Sequence, residues 1–296
     1  MQAVPNQILK GSFLMIGSNI AFCAMICCVR AMPSTNAFAA ILFRFVIGLA
    51  VLGMLAMMGK VQLTFTDKRG LLLRGLLGGI AIAIGFISVF HLGMIKASII
   101  VYTYPIFGTI FGMVLLGEKV TPLRIISMAL AFVGACVVLC GSLDPVHLLD
   151  GFGRYELLAI VGSILAGFAV VQVKKLQATE TSASIYFAQC LVGFWLVIMP
   201  AGGAPISSGY AGIGLLIAVG VLAAVGQLIM TEGYRYLPVS TASVLVMIAP
   251  VLNLLAGAFI FHEQVSMSTI AGSAVVFAAC SLVLIPTGKI QVVSKS

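Results

Sequence analysis

Residues 97–118 read ASIIVYTYPIFGTIFGMVLLGE, and residues 242–263 read ASVLVMIAPVLNLLAGAFIFHE. The two stretches align without a gap at an offset of 145 residues, which sets Ala97-Ser98 over Ala242-Ser243, Pro105 over Pro250 and Glu118 over Glu263. Carried outward, the same offset sets Gly17-Ser18 over Gly162-Ser163, Gly48 over Gly193 and Gly75 over Gly220. Residues 17–139 and 162–284 match throughout with no insertion. A repeat at fixed period decides architecture before any local reading. In an apolar chain it points to a membrane transporter built from two related halves.

Composition names the solvent. Of the 296 residues 61% are hydrophobic and 8% charged, with a mean hydropathy of +1.21. A soluble domain carries about 25% charged residues, so this chain has too little polar material to coat a globule. Spans of about 20 apolar residues cross a hydrocarbon core about 30 Å thick. Ten are readable, at 11–30, 37–58, 71–92, 97–116, 123–141, 156–175, 184–200, 211–234, 241–261 and 268–286. They show no two-residue alternation, so they are helices rather than barrel strands. The fold class expected is an all-α integral membrane protein with ten transmembrane helices in two inverted five-helix repeats. Lys10 before the first apolar run imitates a secretory signal. The run is longer than a signal core, lacks a small-x-small cleavage site and has a counterpart in the second half, so it is read as a helix.

Charge orients the chain. With ten helices one side holds both termini and the even-numbered connections. That side collects twelve basic residues, Lys10, Lys60, Lys68, Arg69, Arg74, Lys119, Arg124, Lys174, Lys175, Arg235, Lys289 and Lys295. The other side has three, Arg30, Lys96 and Arg154. Both termini are therefore expected in the cytoplasm. The net charge of +8 sets topology, and a nucleic-acid partner is not expected. Each half (11–141 and 156–286) holds an odd number of helices, so equivalent helices run antiparallel about an axis in the membrane plane. The connection 142–155, with Asp144, Pro145, Asp150 and Gly151, reads as an outer linker.

Small residues fit the same picture. The seven cysteines lie within spans, with neither zinc-ligand spacing nor a loop position suited to a disulfide. Gly75-Leu-Leu-Gly78-Gly79 and Gly108-Thr-Ile-Phe-Gly112 put small residues on one helix face, where they allow close approach. Trp195 reads as a lipid or interface anchor.

The segment His91-Leu-Gly-Met-Ile-Lys-Ala-Ser98, then Pro105 and Leu116-Gly-Glu-Lys119, resembles the second part of an EamA-like domain. Tyr236-Leu-Pro-Val-Ser-Thr-Ala-Ser243, then Pro250 and Phe261-His-Glu263, repeats it, and Phe43-Arg-Phe45 resembles the arginine motif of that domain. The chain thus resembles the drug/metabolite transporter superfamily, EamA type, over nearly its full length. The resemblance implies a central cavity lined by spans 1, 3, 4, 6, 8 and 9, and a cargo among amino acids, other metabolites or drugs. Gln189 stands where the first half has Arg44, and His262 where it has Gly117, so the halves are not interchangeable.

A carrier needs polar groups near the midplane, which cost free energy unless paired or facing a cavity. The cavity candidates are Asn19 in span 1, Tyr102 and Tyr104 in span 4, Gln227 in span 8 and Asn253 in span 9. Pro105 and Pro250 each remove a backbone donor and free a carbonyl one turn earlier, which suits a hinge. Each polar candidate also fits simple interhelical hydrogen bonding. Arg44 offers a fork for a carboxylate or phosphate, but its stem also suits snorkelling to the outer interface, and that reading is preferred. Glu232 is the deepest acid and the candidate for proton coupling, though an ion pair with Arg235 accounts for it better. No acid lies at the middle of a span, against an antiporter built on a central carboxylate.

These residues point to an inner-membrane secondary transporter of a small organic solute. The resemblance, together with the scarcity of fixed charge expected in the cavity, implies an amino-acid or related metabolite exporter. Import of a cofactor-like metabolite and drug export are alternatives. An intramembrane enzyme would need a nucleophile–base pair, paired carboxylates or a metal set at one depth. His91, His147 and His262 lie towards the outer face with no acid cluster beside them. No catalytic residue, metal or cofactor is expected, and a non-transporting scaffold would leave the paired prolines without a purpose.

Overall fold

A computed structural model describes residues 3–32, 37–92, 94–140, 153–202, 210–262 and 265–284. Residues 142–152 of the expected linker, Glu263, Lys289 and Lys295 lie outside the described residues. Among the described residues the regular elements are twelve helices: α1 (Ala3–Arg30), α2 (Ala37–Met57), α3 (Lys68–Leu92), α4 (Met94–Val101), α5 (Tyr104–Leu116), α6 (Pro122–Cys140), α7 (Arg154–Leu176), α8 (Ser182–Ala201), α9 (Tyr210–Tyr236), α10 (Val239–Val246), α11 (Ala249–Ile260) and α12 (Met267–Val283). Twelve helices make ten spans because spans 4 and 9 are each broken in two, α4 with α5 and α10 with α11. Nine spans are long and apolar enough to cross a bilayer, and α12 adds a shorter apolar helix of 17 residues.

Burial runs opposite to that of a soluble protein. Phe13, Val114, Trp195, Met199 and Phe259 stand outward with two thirds or more of their surface exposed. Asn19, Arg74, Gln189, Gln227 and Thr231 are buried inside. This distribution follows when hydrocarbon is the solvent, because the outer surface must be apolar and polar groups must find partners within the bundle.

The halves interlock rather than sit side by side. Span 1 packs along span 8 and span 6 along span 3, span 7 contacts span 3 as span 2 contacts span 8, and spans 5 and 10 pair with each other. Each contact is matched by its mate when the halves are exchanged, as a two-fold relation requires. Glycines set several of them. A methyl at Gly75 would lie 2.7 Å from Val192, and its mate Gly220 meets Ile47, which is itself the mate of Val192. Gly48 opposes Tyr186 and Cys190, and its mate Gly193 opposes Phe45. Spans 5 and 10 touch backbone to backbone at Gly134 and Gly272. The small-residue faces therefore serve close helix approach.

Candidate functional site

The two broken spans carry the first part of the site. Pro105 and Pro250 stand in the first turn of α5 and α11, where a missing N–H does least harm. Just before them the backbone tightens to three-residue bonds. The Thr103 amide donates to Ile100 O at 3.0 Å, and those of Met247 and Ile248 to Val244 O and Leu245 O at 3.0 and 3.3 Å. A polar side chain from the opposite half then reaches each break. Ser163 Oγ on α7 donates to Ile100 O at 2.9 Å, and Asn19 Nδ2 on α1 donates to Leu245 O at 3.0 Å. Ile100 and Leu245 are mates under the repeat. Asn19 thus holds the broken end of α10.

The second part lies among α2, α3, α8 and α9. Arg44 does not snorkel outward. Its Nη2 donates to Gln227 Oε1 at 3.2 Å, and the guanidinium lies over the Phe22 ring, 5.7 Å from its centroid. Arg74, counted above among cytoplasmic flanking charges, is 4% exposed within α3, and its Nη2 donates to Gln189 Oε1 at 2.9 Å. Nη1 of Arg74 occupies the space that a side chain at Gly78 would fill. Cys190 lies within electrostatic range of both arginines, and Arg74 within range of Arg44 and Tyr234. The expectation of little fixed charge inside is therefore corrected: two guanidiniums share the interior.

Donors in this region outnumber acceptors. Arg44 Nε, Arg74 Nε and Nη1, Gln227 Nε2, and the hydroxyls of Tyr186 and Tyr234 are buried without a hydrogen-bond partner. Gln227, Thr231 and Tyr234 follow one another at i, i+4 and i+7, so a polar stripe runs along the inner face of α9. Their repeat mates are Ile82, Phe86 and Val89, so the stripe belongs to the second half alone. Tyr104 lies within electrostatic range of Tyr234 and Tyr102, which carries the aromatic groups of span 4 towards the arginines. Tyr102 and Tyr104 are only half-buried although they pack against the central core. Asn253 Oδ1 on α11 is buried without a partner.

The glutamates among the described residues are used elsewhere. Glu118 accepts from the Val239 amide at 2.8 Å and the Ser240 amide at 3.4 Å, capping the N-terminus of α10. Glu180 accepts from Thr64 Oγ1 and the Asp67 amide, both at 2.6 Å. Glu232 accepts from Ser182 Oγ at 2.6 Å and lies 3.5 Å from Arg235 Nε, so its surroundings are those of an ion pair near the helix end. Glu156 pairs with Lys96 at 2.6 Å. Lys174 Nζ donates to the carbonyls of Tyr234 and Leu237 at 2.6 and 3.0 Å, closing the end of α9. Among the described residues no group of three metal-ligating side chains forms. A groove of about 550 Å³ lined by Leu9, Phe13, Gly17 and Ile229 lies between α1 and α9. Asn6 and Lys10 also line it, and neither Arg44 nor Arg74 is among its lining residues.

Sequence reading named Gln227 and the tyrosines of span 4 as cavity candidates and preferred an outward, structural role for Arg44; it did not single out Arg74, Tyr186 or Tyr234 and noted Gln189 only as a departure. The usable signal was that departure: where the repeat puts Gln189 for Arg44, the second half supplies an acceptor to an arginine of the first.

The profile of the EamA-like transporter family matches residues 9–140 and again 153–285. The chain belongs to this family. The pseudopaline exporter CntI of Pseudomonas aeruginosa is 27% identical to it over 94% of this chain and 96% of its own. The uncharacterized transporter YojE of Bacillus subtilis is 28% identical over 80% and 79% of the two chains. A riboflavin transporter of Rhizobium johnstonii is 26% identical over 64% and 61%. A solved crystal structure superimposes with a TM-score of 0.78 at 17% identity, over 92% of this chain and 95% of that chain, which establishes likeness of fold. This EamA-like transporter is thus a multi-pass membrane protein of a family whose members carry small molecules.

Proposed function

We propose that the protein is a secondary transporter of the inner membrane, both termini in the cytoplasm, that exports an amino acid or related metabolite by alternating access. The observation that carries this reading is the pair of broken spans, each held by a polar side chain from the opposite half. Rocking one half against the other changes the register at both breaks together, with Pro105 and Pro250 as hinges. The exporter among its relatives, similar along nearly the whole chain, favours outward movement of a metabolite. With Arg74 turned inward, eleven basic residues on the cytoplasmic side against three still favour this orientation. The riboflavin transporter favours a second reading, a cofactor-like cargo. The hydroxyl and arginine partners of Glu232 near the helix end weigh against proton coupling through it.

Counterflow tests the proposal. Proteoliposomes are preloaded with separate pools of amino acids, nucleosides, vitamins and cationic drugs, and labelled tracer is added outside. Uptake driven by one pool establishes a carrier and names its class. No uptake from any pool, with folded protein inserted in the membrane, overturns the carrier reading.

A further inference from the structure

The interior cluster holds two guanidiniums, one of them almost wholly buried, yet the carboxylates of Glu118, Glu156, Glu180 and Glu232 are all engaged at the ends of the bundle. An unpaired cation inside a membrane protein is costly, and a glutamine carbonyl neutralises none of its charge. Fixing Arg44 through Gln227 and Arg74 through Gln189 leaves Nε of both, and Nη1 of Arg74, without an acceptor. The hydroxyls of Tyr186 and Tyr234 and the amide nitrogen of Gln227 are also unpaired. Among the described residues, this region rich in donors and carrying two positive charges lacks one component, an acceptor with negative charge. Guanidinium forks match the paired oxygens of carboxylate and phosphate.

We propose that Arg44 and Arg74 form the binding site for an oxyanion group of the cargo, a carboxylate or phosphate. Tyr186, Tyr234 and Gln227 complete its donor set, and Tyr102 and Tyr104 face the rest of the solute. This assignment rests on the carrier reading above and narrows it to anionic or zwitterionic solutes. Gln189 and Gln227 act as positioning residues: each holds one corner of a guanidinium by its carbonyl and leaves the other corners to the ligand. The polar stripe on α9, absent from α3, makes the site one-sided: the first half supplies both charges, Arg44 and Arg74, and the second half the neutral donors Tyr186, Gln227 and Tyr234.

The test uses the full chain in two measurements. In counterflow, pools of dicarboxylates, acidic amino acids and phosphate monoesters are compared with neutral nucleosides and organic cations. The expected result is exchange with an anionic pool, carboxylates and phosphate esters being told apart by which pool drives it. Arg44→Gln and Arg74→Gln should each raise the half-saturating concentration about 10- to 100-fold, as expected for loss of a charge-assisted contact. Because these variants remove interior packing, Gln189→Glu supplies the second measurement. It places a carboxylate against Arg74 and fills the site from within. Thermal unfolding with the active anion should then show a stability in its absence at or above wild type and a ligand-induced rise at least halved. Exchange of neutral or cationic solutes with every anion inert overturns the anion site and leaves the carrier intact. Silence from every pool overturns both. An undiminished ligand-induced rise in Gln189→Glu shows that Arg74 does not meet the anion and also overturns the assignment.

Discussion

Asn19→Ala isolates the contact that joins span 1 to the break in span 9. The substitution removes one donor to Leu245 O at 3.0 Å. That carbonyl keeps the Ile248 amide at 3.3 Å, so it is weakened rather than orphaned, and the full penalty of about 1–3 kcal/mol for an unsatisfied buried group does not apply. Interhelical hydrogen bonds within membranes contribute about 0.6 kcal/mol on average and about 1.7 at most. The side chain is 2% exposed, so its truncation also leaves a small void. The expected loss is about 1 kcal/mol, roughly a five-fold change in the folded-to-unfolded ratio. Denaturant unfolding in detergent, followed by the fluorescence of the single tryptophan Trp195, measures it. Transport should fall several-fold while the protein stays folded, because a freed α10 no longer moves with α1. Ser163→Ala, the counterpart in the other half, should cost less, since Ser163 Oγ already shares its bond with Ala159 O at 3.0 Å. Unchanged stability and transport in Asn19→Ala would refute the linkage. A loss of several kcal/mol would refute the account of Leu245 O as a carbonyl with a second donor.

Further outcomes follow from the same geometry. Glu118→Ala removes the acceptor of two amides at the start of α10 and should cost about 1–2 kcal/mol, most of it restored by Asp or Gln, in the same unfolding assay. Gly134→Ala should destabilise by about 1–3 kcal/mol, because the added methyl would stand 2.8 Å from Gly272 O, a backbone atom that cannot turn aside. Gly17→Ala, with nothing within 4 Å of the new methyl, should be tolerated. Glu232→Gln should leave the pH dependence of transport unchanged and shift stability by no more than about 1 kcal/mol, since its partners are a serine hydroxyl and a half-exposed arginine. Loss of pH dependence there would restore Glu232 as the proton-coupling group.

The repeat at constant offset made the fold legible, because two copies of a proline-broken apolar span admit few arrangements in a bilayer. The breaks themselves could be read from Pro105 and Pro250, since a missing N–H acts through the local backbone. What could not be read was the direction of side chains. Arg74 follows Lys68 and Arg69 at the start of span 3, and in one dimension it is indistinguishable from a flanking charge. Its inward turn depends on Gly78 leaving room one helical turn further on and on Gln189 arriving from another helix. Arg44 had an outer interface within reach of its stem, and only the position of Gln227 decides that it points inward. Tyr234 had no neighbour in sequence to mark it, because its relation to Arg74 and Tyr104 is purely one of packing.

Sidedness of access to the arginine cluster tests the central claim most directly. Cys190 is fully buried beside Tyr186, within electrostatic range of Arg44 and Arg74. In a variant with the other six cysteines replaced by alanine, a small membrane-impermeant thiosulfonate is applied to oriented vesicles from one face and then the other. Alternating access through this cluster predicts modification from both faces, slowed by cargo in each case. A folded protein whose Cys190 resists reagent from both faces would make the cluster a sealed core and contradict the account.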